Sequence, residues 1–395
     1  MERLEGWIED VSIVTPEEVV QGSLRMEDGR IAEIKPHGGQ GAARESFEVH
    51  DGLYLLPGMI DLHCDAIEKE VQPRPNTLFP MEMALLELEK KLAGNGITTM
   101  YHSLSLGTGL SLRGDHLMTE MIRLIRKYRE ERAMIRHRIH LRYEVIHLEG
   151  LPLAEELLRS GAVEYLSYMN HAPGQGQYRA PGSFEAYVMK NQGVSKEEVR
   201  LIAQNALQKQ AQINWPRLRQ LSEEARERGI AVASHDDDTE ETVNTALSFG
   251  ASVSEFPLNL PTAEYAKRQG LQICVGAPNI VRGGSHDKNM KAMDGIQAGV
   301  VDILCSDYYP SSLLSAVFLI AHEAGIGLPR AAAMASLHPA RAVGIDDRLG
   351  SIEAGKQADL LLVQVKDGYP LVRKTWVNGS LVYEANYYRE RENRF

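Results

Sequence analysis

Short apolar runs recur through the middle of the chain, and most end on a side chain able to bind a metal or move a proton. The runs finish at His63 (LLPGMIDLHCD), at His102 (GITTMYH), near Glu144 (RIHLRYEVIH), at His171 (VEYLSYMNH), at His235 (GIAVASH), near Glu255 (ASVSEFP), near Gly276 (LQICVG) and at Asp307 (VDILCSD). Apolar runs this short and continuous read as strands covered on both faces. Helical patterns fall between or after them, at 114–133, 195–228 and 313–326. Eight such strands separated by helices predict a (β/α)8 TIM barrel, an α/β fold. Residues 172–194 are rich in glycine and aromatics with little periodicity. They read as a long active-site loop ahead of a helix that starts near Ser195.

The two ends have a different texture. Residues 1–54 alternate apolar and polar positions and carry an Asp28-Gly29 turn; residues 350–384 repeat that alternation, with a hairpin signal at Asn378-Gly379. The expected organisation is a barrel over 55–349 and a small β-sandwich domain built from both ends, 1–54 and 350–395. A chain of 395 residues is long enough for both.

Composition narrows the function. Hydrophobic content of 43% and charged content of 25% are those of a soluble enzyme, and a formal net charge of −11 excludes a general affinity for nucleic acid. Cys64, Cys274 and Cys305 are too few and too scattered for a disulfide framework. The acidic N-terminal stretch does not resemble a signal peptide, and the most apolar segment, LLSAVFLIAHEAGIGL, is broken by His322 and Glu323. The expectation is a cytoplasmic protein with no membrane partner.

Active sites of such barrels lie at the carboxyl ends of the strands. His63 and Asp65 stand two apart there, so both side chains can reach one ion. His63, Asp65, Glu144, His171, His235 and Asp307 are nitrogen or carboxylate donors of the kind that suit Zn²⁺, Mn²⁺ or Fe²⁺. Six donors suffice for one or two ions, with Glu144 as the candidate bridge and Glu255 as a reserve ligand. Asp236, Asp237 and Asp238 are candidate acceptors for the His235 ring N–H. A metal can lower the pKa of water to about 7, so Asp307 could both touch the ion and take a proton. His137, His140 and His147 read as structural, and His102 has no assigned role. A second group is cationic: APNIVRGGSHDK at 277–288 offers Arg282, His286 and Lys288 beside two glycines, and EKEVQPRP offers Lys69 and Arg74 on a loop stiffened by proline. Backbone N–H groups and cations so placed suit phosphate.

With these residues in hand, a family likeness is legible. LLPGMIDLH and GSIEAGKQADLLLV resemble the amidohydrolase superfamily, metal-dependent hydrolases with a barrel and a β-sandwich. Within it, EKEVQPRP, HAPGQGQY at 171–178, ASHDD at 233–237, GAPNIVRGGSH at 276–286 and SDYYPSSLL at 306–314 resemble the α-D-ribose 1-methylphosphonate 5-triphosphate diphosphatases of the carbon–phosphorus lyase pathway. That resemblance implies metal-dependent hydrolysis of a small phosphorylated substrate to the 5-phosphate and pyrophosphate. It also implies metal ligation by His63, Asp65, His235 and Asp307 with Glu144 and His171 added, and a homodimer. Cys64 and Ala66 stand where the family has Thr and Asn, His102 and Asn170 where Asp is usual, and no counterpart of the carbamylated lysine of many superfamily members is evident. The competing expectation is a deacetylase or deaminase acting at carbon, which would need few cationic groups. A non-catalytic scaffold is the third, and the intact ligand types weigh against it.

Overall fold

The computed structural model describes residues 5–37, 51–74, 77–107, 114–192, 195–285 and 289–387. The alternating N-terminal stretch forms β1 (Gly6–Val14), β2 (Val19–Glu27), β3 (Arg30–Pro36) and β4 (Gly52–Pro57). The apolar runs form β5 (Met59–Cys64), β6 (Ile97–Leu106), β7 (Arg136–Glu144), β8 (Tyr165–Met169), β9 (Ala231–His235), β10 (Val253–Glu255), β11 (Gln272–Gly276) and β12 (Ile303–Cys305). Three more strands follow: β13 (Leu360–Lys366), β14 (Tyr369–Val377) and β15 (Ser380–Glu384).

Strands β5 to β12 lie side by side in chain order, all parallel. Every residue of β5, β6 and β8 is buried, as strands between an inner core and an outer helix layer must be. The barrel closes at its carboxyl rim. Cys64 pairs with Asp307, the Asp65 N–H donates to the Asp307 carbonyl (2.8 Å) and the Asp307 N–H to that of His63 (2.9 Å). Closure therefore welds together the tips carrying three predicted ligands. The interior is filled by Ile60, Leu62, Tyr101, Tyr165, Val253 and Ile303, among others.

Several boundaries differ from expectation. β6 runs on to Leu106, so His102 lies mid-strand, and β8 stops at Met169, so His171 is on the loop that follows. The helical stretch 195–228 is two helices, Lys196–Gln210 and Trp215–Glu227. The first opens where Ser195 and Glu198 form a capping box, the second where the Asn214 side chain accepts from the Arg217 N–H. Residues 172–194 are not a plain loop either. They include a helix, Ser183–Gln192, which joins Lys196–Gln210 around Tyr178, Phe184, Val188 and Val199.

The chain ends meet in one seven-stranded sheet, ordered β15-β14-β13-β4-β1-β2-β3, where β4 from one end pairs antiparallel with β13 from the other. Its core holds Ile13, Leu24, Met26, Leu55, Leu360 and Trp376. Both turn signals hold: Asp28-Gly29 and Asn378-Gly379 each have positive φ at both residues, which two-residue hairpins favour. No helix among the described residues is long and apolar enough to cross a membrane.

Candidate active site

A cavity of about 620 Å³ opens at the carboxyl rim of the barrel. His63, Asp65, Arg142, Glu144, His171, His235, Asp236 and Asp307 line its floor and lower wall; Lys209, Arg282, Tyr178, Tyr187 and Tyr308 line its sides. All six donors proposed from the sequence thus reach one cavity. His171 and Asp65 stand just past the ends of β8 and β5. Just past β9, β10 and β12, Asp236, Phe256 and Asp307 have φ of 58°, 54° and 58°, a left-handed backbone uncommon outside glycine. Such conformations persist where the surroundings over-determine them, and sites are where they gather.

Among the described residues, two sets of three donors converge with ligand atoms within 4.8 Å of one another: His171, His235 and Asp236 at the mouth, and His63, His140 and Glu255 beneath. In the upper set, His171 Nδ1 lies 2.7 Å from Glu144 Oε2 and its backbone N–H donates to Glu144 Oε1 (3.1 Å). The opposite nitrogen, Nε2, is buried without a hydrogen-bond partner and lies 3.8 Å from Asp236 Oδ2. Burial opposes charge on this imidazole, but the Glu144 and Asp236 carboxylates outweigh it and push its pKa up to about 9. Asp307 moves up as well, to about 7, chiefly through burial and then through the neighbouring Asp65 carboxylate. A crowd of acids around partly buried imidazoles is a set of donors suited to a divalent cation, and the orphaned His171 Nε2 marks one direction in which it is unsatisfied.

Arg142 was not anticipated. Its guanidinium is buried on the cavity floor, with Nη2 donating to His235 Nε2 (3.2 Å) and Nη1 4.0 Å from Asp65 Oδ2. A signal was present, since Arg142 stands two before Glu144 and strand alternation puts both on one face. Asp236 was expected only as an acceptor for the His235 ring N–H; its carboxylate instead lies 3.8 Å from His235 Nε2, on the cavity side. Its neighbours turn away: Asp237 accepts from the Ser234 and Ser254 hydroxyls, and Asp238 pairs with Arg179. The acceptor on His235 Nδ1 is Glu255, at 3.4 Å.

Of the phosphate candidates, Arg282 lines the cavity. Lys69 sits over the ring of Tyr308, 4.6 Å from its centroid, and Tyr308 lines the cavity. Arg74 is exposed and does not line it. His286 and Lys288 lie outside the described residues. His102 turns away from the cavity into a buried relay, His102 Nε2 to His137 Nδ1 (2.8 Å) and His137 Nε2 to Glu89 Oε1 (2.9 Å).

The amidohydrolase family profile matches residues 54–382, which takes in the whole barrel and the terminal strands β13 and β14. The chain belongs to the amidohydrolase family. It is accordingly a hydrolase, and the donor cluster at the barrel rim sits where that fold places its chemistry. The chain is 35% identical over 382 residues to the α-D-ribose 1-methylphosphonate 5-triphosphate diphosphatase of Escherichia coli (strain K12), covering 95% of this chain and all of that protein. Solved amidohydrolase structures share the fold at low identity. They include the N-acetylglucosamine-6-phosphate deacetylase of Pasteurella multocida (TM-score 0.60, 15% identity, 97% of this chain and 100% of that one). Another is the 5-methylcytosine deaminase of Klebsiella pneumoniae (TM-score 0.64, 14% identity, 98% and 99%).

Proposed function

We propose that this amidohydrolase cleaves a ribose 1-methylphosphonate 5-triphosphate to the 5-phosphate and pyrophosphate. The observation that carries the reading is the joining of metal-type donors and cations in one cavity, lined by Arg142, Lys209 and Arg282 as well as by His63, Asp65, His235 and Asp307. The full-length similarity to the Escherichia coli diphosphatase supports the choice of substrate.

His63, Asp65, His235 and Asp307 would hold one or two Zn²⁺, Mn²⁺ or Fe²⁺ ions, with Glu144 and His171 as further donors. Such an ion supplies Lewis acidity toward phosphoryl oxygens and makes water a nucleophile near neutral pH. The chain's own groups do the rest. Arg142 on the floor offsets charge on the phosphoryl group under attack. Asp307 accepts the proton of the attacking water. Arg282, which lines the cavity, holds the outer phosphates as the P–O bond breaks, so that charge on departing pyrophosphate is met where it develops.

Dialysis against a chelator should abolish activity, and Mn²⁺, Zn²⁺ or Fe²⁺ should restore it. Phosphorus NMR of the reaction on a ribose 5-triphosphate should then show stoichiometric pyrophosphate. Orthophosphate alone, or a far higher kcat/KM for acetate or ammonia release from an N-acyl or amino substrate, would replace this reading with hydrolysis at another bond. Full activity in protein shown to be metal-free would remove the role of the ion.

A further inference from the structure

Glu255 closes β10 with its side chain fully buried, and the parallel register sets it directly beside His235 on β9. One oxygen, Oε2, serves two imidazoles: it lies 3.0 Å from His63 Nδ1 and 3.4 Å from His235 Nδ1. The His235 contact has hydrogen-bond geometry; the His63 contact is a close approach off the straight line. The two rings are stacked, 5.3 Å between centroids and 14° apart in plane, and the Phe256 ring meets both edge-on, at 86° and 74°. The far nitrogen of His235, Nε2, accepts from Arg142, so it carries the lone pair and Nδ1 carries the proton.

The deeper donor set that includes Glu255 does not read as a metal site of its own. Its third member, His140, has both ring nitrogens engaged, Nδ1 with Ser103 Oγ (3.0 Å) and Nε2 with Ser167 Oγ (2.7 Å). With both His140 nitrogens engaged by serine hydroxyls, Glu255 Oε2 is left to the rings of His63 and His235.

We infer that Glu255 is a positioning residue: one carboxylate oxygen, accepting from His235 Nδ1 and set close against His63 Nδ1, orients both rings so that the two Nε2 lone pairs are presented together at the cavity floor. The inference rests on the metal reading of the site for its purpose, though not for its geometry. Carboxylates that hold the second nitrogen of a ligating histidine set its tautomer and orientation, and losing one lowers metal affinity 10- to 100-fold.

Two measurements test it. Nitrogen-15 NMR of metal-free wild-type protein labelled at histidine reports the tautomers, with the His63 and His235 signals assigned by their loss in His63→Gln and His235→Gln. Both rings should be protonated at Nδ1; protonation of either at Nε2 alone overturns the inference. Competition of wild type and Glu255→Gln with a chromophoric chelator for Zn²⁺ alone should show affinity reduced 10- to 100-fold in a variant whose circular dichroism matches wild type. Zn²⁺ affinity within threefold of wild type in that folded variant overturns it too, because a packing role alone would move the melting temperature and leave affinity in place. If Glu255→Gln does not fold, Glu255→Asp, which withdraws the oxygen by one methylene, is held to the same threshold. Should wild type take up no Zn²⁺, the metal reading of the previous subsection fails and the NMR result alone decides this one.

Discussion

At the scale of single residues, the site separates groups that grip from groups that react. Arg282 follows the helix Ala277–Val281 and is exposed where it lines the cavity. Arg282→Ala should therefore raise KM for a triphosphate with little change in kcat. The loss of one charge-assisted contact, about 1.5–3 kcal/mol, corresponds to roughly 10- to 100-fold. Asp307 is half-buried, and its backbone is hydrogen-bonded to those of His63 and Asp65 at the closing seam. Asp307→Asn keeps the shape and removes the proton acceptor, so kcat should collapse while product binding survives. Steady-state kinetics together with equilibrium binding of the 5-phosphate distinguish the two, and near-normal turnover in the Asn variant with metal bound would show that Asp307 is not the base.

At the scale of elements, the site depends on where strands end and how the chain turns beyond them. The segment GSIEAGKQAD returns the chain from the barrel to the terminal sheet, and its first glycine, Gly350, has φ of 90°. A Cβ there would stand 2.8 Å from both the Ser336 carbonyl oxygen and the Ala340 Cβ. The carbonyl belongs to backbone just ahead of the helix Leu337–Ala342 and cannot swing aside as a flexible side chain would. Gly350→Ala should thus cost about 1–3 kcal/mol through overpacking and backbone strain together. Urea unfolding should show a lower midpoint with an unchanged slope; an unchanged midpoint would mean that the turn relaxes freely.

At the scale of the whole molecule, the terminal sheet is part of the barrel's support. Leu56, Leu361, Val363 and Val372 of that sheet belong to the same apolar cluster as the barrel's outer layer. The polar tie is Asp359, just ahead of β13: its carboxylate pairs with Arg136 at the start of β7 and accepts from the Asn378 N–H (2.8 Å), while its carbonyl accepts from the Gly58 N–H (2.8 Å). Asp359→Ala should destabilise by about 2–4 kcal/mol, somewhat less than a fully buried pair would lose because Arg136 reaches solvent and retains Gln357. Differential scanning calorimetry should record one transition moved to lower temperature. A separate early transition for the terminal sheet would instead mean that the two parts unfold independently.

The barrel, the pairing of the chain ends and the gathering of the six proposed donors at one cavity were legible in the amino-acid sequence, because each rests on a local rule. Strands buried on both faces must be apolar runs, Asp-Gly and Asn-Gly favour the φ that short hairpins need, and polar residues at strand ends face the mouth of a parallel barrel. Tertiary structure alone decided the partners. That Glu144 holds His171, that Glu255 touches His63 and His235 at once, and that Arg142 lies against His235 follow from strand register and barrel closure, which join residues up to 245 positions apart, as Ser306 and Asp61 are. His102 makes the same point in the opposite sense. A histidine in an apolar run can sit at the strand end or in its middle, and only the continuation of β6 to Leu106 sets it among His137 and Glu89 rather than at the cavity. Periodicity tells which face a side chain takes; the distance to what it meets there depends on how the whole sheet closes.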